Sequence, residues 1–157
     1  MKRVENAKEG PLTVADNRSA LQSLVNTLID ASRGLESLQE RGTPTLTRHA
    51  EKFASLHAKH LTELEAIMRN NSGSPDMSGT LFGHVQEAVV ALRDLFAGLD
   101  TDALQPLLDG EARILSYYDS TLDELDTGHP ARPALRDQRA ELEQRLSELE
   151  QHISAQA

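Results

Sequence analysis

Residues 44–68 read PTLTRHAEKFASLHAKHLTELEAIM, and the apolar side chains recur at the three- and four-residue intervals of one α-helical face. Thr43 and Pro44 supply a cap and a first helical residue. Two positions of the apolar stripe carry imidazoles instead, His57 and His60. Because a buried polar group without a partner is costly, these two side chains need partners in the core. The segment predicts an amphipathic helix with a polar element on its inner face.

Four other segments show the same helical spacing, and breaks rich in glycine, proline, asparagine and serine separate them. Linkers this short make consecutive helices pack as neighbours, so the sequence predicts an all-α, antiparallel helical bundle. We expect one bundle domain over residues 13–155, preceded by a disordered N-terminal tail over residues 1–12. The predicted helices cover about residues 14–40, 44–70, 80–98, 103–126 and 131–153.

The composition restricts the partners of the protein. The formal net charge of the 157 residues is −9, and the acidic residues are spread along the chain, which disfavours DNA, RNA and anionic lipid. The chain has no cysteine, which removes thiolate ligands and thiol nucleophiles. No apolar run approaches the length of a membrane span or the core of a signal peptide. We therefore expect a soluble, cytoplasmic protein that binds neither nucleic acid nor a membrane.

Several short motifs, taken in order, resemble a bacterial family of ferritin-like domains of unknown function over roughly residues 14–153. They are Leu24-Val-Asn-Thr-Leu-Ile-Asp30 with Gly34-Leu35, Gly73-Ser-Pro75 with Ser78-Gly79, Gly83-His84, and Gly110-Glu111 with Tyr118. The resemblance implies an antiparallel ferritin-like four-helix bundle, with the helix over 80–98 as one additional helix in the connection between its halves. It implies no function, since the family has none assigned.

Ferritin-like di-metal proteins place one glutamate on each of two helices and a Glu-x-x-His pair on each of the other two. No histidine of this chain has a glutamate three residues before it. The nearest match is Asp126 with His129, which falls in the predicted turn before Pro130. We therefore expect no complete di-metal centre, no cofactor and no catalytic residue.

Glu111 and Tyr118 lie seven residues apart on the apolar stripe of one predicted helix, so they share its inner face. We expect a buried polar core made of His57, His60, Glu111 and Tyr118, because buried polar side chains satisfy one another in most bundles. The alternative is a metal site in which His57, His60 and Glu111 bind iron, manganese or zinc. That site would need further ligands, since such metals usually take three or four protein side chains.

These observations favour a non-enzymatic helical bundle that acts through self-association or through binding a protein partner, with a homo-oligomer as the expected form. The alternative function is a metal-binding storage or oxidase-type protein that uses His57, His60 and Glu111. The sequence contains no phosphate-binding loop, nucleophile elbow or kinase pattern that would indicate another chemistry.

Overall fold

The computed structural model describes residues 14–71, 73–79 and 104–156. Within them lie four helices: α1 (Val14–Arg41), α2 (Pro44–Asn71), α3 (Leu104–Glu124) and α4 (Arg132–Ala155). The all-α prediction is confirmed for this part of the chain, and the predicted helix ends agree within two residues. The tail predicted over 1–12 and the helix predicted over 80–98 lie outside the described residues.

The turn between α1 and α2 consists of Gly42 and Thr43. The Gly42 N–H donates to the Leu38 carbonyl at 2.7 Å. A Cβ atom at position 42 would lie 2.8 Å from that same oxygen, so only glycine fits there. The Thr43 hydroxyl accepts a hydrogen bond from the Leu46 N–H and caps α2. This tight turn folds α2 back antiparallel against α1.

The four helices form a bundle in which each helix packs against two others. α1 lies against α2 and α3, and α4 lies against α2 and α3. None of the described helices combines the length and hydrophobicity that crossing a bilayer requires. Leucine dominates the space between the helices, where the fully buried apolar side chains include Leu21, Leu24, Leu28, Phe53, Leu64, Met68, Leu135, Leu142 and Leu149.

The connection after α2 runs along α1. Three polar side chains of α1 hold it: Arg18 donates to the carbonyls of Gly73 and Ser74, Gln22 exchanges two hydrogen bonds with the Asp76 backbone, and Arg33 donates to the Ser78 carbonyl. Residues 73–79 thus pass from near the start of α1 toward its end. α3 begins beside the end of α1, where Leu38 and Leu107 line one cavity, and the chain after α3 reaches Asn17 at the start of α1, so α2 and α3 run in the same direction.

The opposite turn, between α3 and α4, is tied to the start of α1. The Asn17 amide donates to the Asp126 carboxylate at 2.9 Å, and the Asp126 N–H donates to the Asn17 side-chain oxygen at 3.1 Å. The Arg132 guanidinium donates to the carbonyls of Leu122 and Leu125 and so caps the last turn of α3. These contacts fix the ends of α1, α3 and α4 relative to one another.

The inner face of α3 is rotated slightly from its predicted position. The helical spacing of residues 103–126 predicts that Leu108, Leu115 and Leu122 face inward, but they are only partly buried. Each of these leucines lies one residue beyond a buried position and therefore at the edge of the inner face. Glu111 and Tyr118 keep their predicted core positions, and the buried residues of α3 are Leu104, Leu107, Glu111, Ile114, Tyr118 and Thr121.

Candidate functional site

A polar network lies in the leucine core. His57 and His60 on α2 and Tyr118 on α3 are 0% exposed, and Glu111 on α3 is 3% exposed. His57 Nε2 lies 2.8 Å from Glu111 Oε2, and because a carboxylate accepts, the imidazole donates this hydrogen bond. The bond joins α2 to α3 through the interior of the bundle. It gives the buried carboxylate a charge-assisted partner.

A second set of hydrogen bonds joins α2, α3 and α4. The Tyr118 hydroxyl lies 3.0 Å from His60 Nδ1 and 3.2 Å from Gln138 Oε1. The Gln138 amide group donates to the His60 carbonyl at 3.2 Å and to the Glu63 carboxylate at 2.9 Å. Gln138 is 0% exposed, so all of its polar atoms must be satisfied from within the protein.

These contacts fix the tautomer of His60. The amide nitrogen of Gln138 faces two acceptors, so its side-chain oxygen is the acceptor of the Tyr118 hydroxyl proton. The Tyr118 oxygen must then accept from His60 Nδ1–H. Neutral His60 therefore carries its proton on Nδ1 and presents an unprotonated Nε2.

Two imidazole nitrogens in this core have no hydrogen-bond partner among the described residues: His57 Nδ1 and His60 Nε2. The nearest charged group to His60 Nε2 is Glu141 Oε2, at 3.6 Å. Glu141 is itself held by Lys59, whose ammonium lies 2.7 Å and 2.9 Å from its two oxygens. The polar core thus reaches the surface between α2 and α4 through Glu141.

Burial controls the ionisation of His60 and Tyr118. It lowers the pKa of His60 below its ordinary value, and the neighbouring Glu141 carboxylate opposes this effect without overcoming it. Burial also raises the pKa of Tyr118 well above its ordinary value, with a further contribution from Glu63, Glu111 and Glu141. Both groups are therefore neutral at neutral pH, as the hydrogen-bond pattern requires.

We predict that the His60 imidazole titrates below the ordinary histidine pKa of 6.5. The unfolded chain then binds a proton more readily than the folded chain, so this group's contribution to stability is fully present above that pH and is lost as the pH falls below it. A proton NMR titration of the histidine ring signals measures the midpoint. A midpoint above 6.5 would mean that the Glu141 carboxylate, rather than burial, dominates.

A small cavity opens between α1 and α3 and reaches Glu111. Its volume is about 100 Å³, and apolar or glycine residues form the remainder of its lining, including Leu35, Leu38 and Leu107. The cavity admits a few waters or a ligand of a few atoms. Larger substrates have no access to the His57–Glu111 pair by this route.

The geometry does not gather the three metal-ligand candidates at one point. His57 contacts Glu111, whereas His60 turns toward Tyr118 and Gln138. Across residues 14–71, 73–79 and 104–156, no three histidine or carboxylate side chains are close enough to hold one metal ion. Asp126 belongs to the nearest sequence match to a Glu-x-x-His motif, but its carboxylate accepts a hydrogen bond from Asn17. His84 lies outside the described residues.

The structure adds Gln138 and Glu63 to the predicted members of the network. Gln138 could have been found from the spacing on α4, because Leu135 and Leu142 are seven residues apart and leave one core position between them. Glu63 gives no such signal, since it lies at the edge of α2 and is partly exposed. His49 and His152 are partly buried, and their rings lie 4.9 Å apart with an angle of 55° between their planes.

Residues 16–124 match the family model described as a domain of unknown function, DUF2383. The matched region covers nearly all of α1, the whole of α2 and the whole of α3, and it contains His57, His60, Glu111 and Tyr118. It ends before α4, which carries Gln138. No curated protein and no solved structure matches the chain.

Proposed function

We propose that this chain, which belongs to the DUF2383 family of domains of unknown function, is a non-enzymatic bundle protein that acts by self-association. The observation that carries the non-enzymatic part of the proposal is the mutual pairing of the buried polar side chains. His57 with Glu111, and His60 with Tyr118 and Gln138, use one another as partners. Such a network specifies which helix faces meet, which is a structural role.

The proposal includes a ferritin-like arrangement of the bundle, which the order of the helices supports. Two antiparallel hairpins, α1–α2 and α3–α4, are separated in the sequence by residues 72–103, of which residues 73–79 run along α1. Ferritin-like folds have one long crossover between two such halves. The proposed form is a cytoplasmic, bacterial homo-oligomer or a subunit that binds a protein partner.

Sedimentation velocity over a wide range of protein concentrations tests self-association directly. The proposal predicts a species whose mass is a multiple of the 17.3 kDa chain and whose population rises with concentration. A single 17.3 kDa species at every concentration would refute self-association.

A metal-binding function, with iron, manganese or zinc held by His57, His60 and Glu111, is the second candidate. The unpartnered His57 Nδ1 and His60 Nε2 favour it, because a neutral imidazole nitrogen is a good metal ligand. Elemental analysis of protein purified without a polyhistidine tag separates the two candidates. Stoichiometric metal that is lost in His57→Ala/His60→Ala but kept in His49→Ala/His152→Ala would establish the metal-binding function.

A further inference from the structure

A surface groove with a cationic rim runs between α2 and α4. Its volume is about 560 Å³, within the range of roughly 300–1,000 Å³ typical of small-molecule sites. α2 supplies Arg48, Lys52, Ser55 and Lys59, and α4 supplies Arg145. The groove is separate from the polar core, but its floor contains Glu141, the residue that approaches His60 Nε2.

The sequence of α2 places these side chains in one row. Arg48, Lys52, Ser55 and Lys59 follow one another at intervals of four, three and four residues, so they share one face of the helix. Arg48 and Lys52 are like charges one turn apart, an arrangement that destabilises a helix by a few tenths of a kcal/mol. An anion bound near both side chains would offset this repulsion.

The structure divides the cations of the groove into two groups. Lys59 is paired with Glu141, and Arg145 is paired with Glu148 at 3.1 Å. Arg48 and Lys52 make no ion pair and no side-chain hydrogen bond with any residue that the structure describes. These two side chains are therefore available to a ligand.

The local field at this end of α2 is positive although the whole chain is acidic. After burial, the charges of His152, Lys52 and Arg48 are the causes that lower the pKa of the neighbouring His49. Salt screens the distant carboxylates beyond a Debye length of about 8 Å at physiological ionic strength, so the nearby cations decide what the groove attracts. Lys59 and Arg145 are each offset by a paired carboxylate, and Glu51 offsets one further charge, so Arg48 and Lys52 leave an excess of one positive charge at this end of the groove.

We propose that this groove is a binding site for a small phosphate-bearing molecule. The Arg48 guanidinium can donate two parallel hydrogen bonds to a phosphate group, the Lys52 ammonium adds a second charge, and the Ser55 hydroxyl can donate a third contact from the same helix face. Lys59 and Arg145 border the remaining volume, which exceeds that of one phosphate group. The site does not depend on the self-association proposed above.

Isothermal titration calorimetry with inorganic pyrophosphate, in a phosphate-free buffer of low ionic strength, tests the site. We expect saturable binding of one pyrophosphate per chain, and binding of citrate at least about tenfold weaker, because citrate lacks tetrahedral phosphate oxygens. Arg48→Gln and Lys52→Gln should each weaken pyrophosphate binding by about tenfold, the loss expected for one charge-assisted hydrogen bond. Arg48→Lys should keep part of the affinity.

Arg136→Gln is the matched control, because Arg136 is an exposed cation on α4 that does not line the groove. It removes the same charge and should leave the affinity unchanged. Unaltered circular dichroism of each variant excludes unfolding as the cause of a loss. No binding of pyrophosphate, equal affinities for pyrophosphate and citrate, or an equal loss in Arg136→Gln would each overturn the proposal.

Discussion

Replacing His57 with leucine should lower the free energy of unfolding by about 3–5 kcal/mol. The substitution keeps most of the side-chain volume but removes the imidazole that donates to Glu111 at 2.8 Å. Glu111 is 3% exposed, so its carboxylate would stay in the core without the donor that His57 supplies. Urea denaturation at neutral pH measures the change.

The paired variant His57→Leu/Glu111→Leu separates the loss of the partner from the loss of packing. Removing both members of a buried pair is neutral or even stabilising when well-packed apolar groups replace them, so we expect the double variant to recover most of the loss. Glu111→Leu alone should cost less than His57→Leu, because it leaves an imidazole rather than a carboxylate without its partner in the core. A double variant as unstable as His57→Leu would show that the pair is not coupled.

Replacing Gln138 with leucine should lower the free energy of unfolding by about 2–3 kcal/mol. Gln138 accepts from the Tyr118 hydroxyl and donates to the His60 carbonyl and to Glu63, and it is 0% exposed. Leucine fills a similar space without these groups, so the Tyr118 hydroxyl proton can then be accepted only by His60 Nδ1, after His60 moves its own proton to Nε2. The cost is this change of tautomer together with the lost contacts to α2.

Tyr118→Phe in the Gln138→Leu background identifies the source of this cost. Without the Gln138 amide and the Tyr118 hydroxyl, His60 can carry its proton on Nε2 and donate toward Glu141, which lies 3.6 Å away. We therefore expect the two substitutions together to cost at least about 1 kcal/mol less than the sum of their separate effects. Gln144→Leu, an exposed position of the same helix, should change stability by about 0.5 kcal/mol or less. Strictly additive effects would contradict the proposed network.

The helical periodicity predicted the architecture and the burial of the polar core residues for a simple physical reason. An imidazole or carboxylate in phase with leucines shares their face, so His57, His60, Glu111 and Tyr118 could be placed in the interior from spacing alone. The same periodicity placed Leu108 one position too far inward, because an edge position and a centre position of one face differ by only one residue. The phase of the helical periodicity identifies which face of a helix points inward, but it does not give the depth to which each residue of that face is buried.

The pairing of those side chains could not be predicted. Which imidazole meets Glu111 depends on the axial offset between α2 and α3, two helices that more than thirty residues separate in the sequence. The role of Gln138 depends in the same way on the offset of α4. Offsets between helices distant in sequence arise from tertiary packing, which a single helix pattern does not contain.

The groove between α2 and α4 could not be predicted from the sequence for the same reason. Arg48 and Lys52 are visibly in register along α2, but only the packing of α4 brings Arg145 opposite them and turns a charged row into a groove. The total charge of −9 disfavours anionic partners over long distances, whereas the groove concerns distances shorter than the screening length. Total charge and local charge thus lead to different expectations for small and large anions.

A long-range proton–nitrogen correlation spectrum of the histidine side chains, recorded on the unmodified protein at neutral pH, tests the polar network most directly. The network predicts that His57 carries a proton on Nε2, donated to Glu111, and that His60 carries its proton on Nδ1 and has an unprotonated Nε2. His60 protonated on Nε2, or either ring exchanging its nitrogen-bound proton freely with solvent, would contradict it.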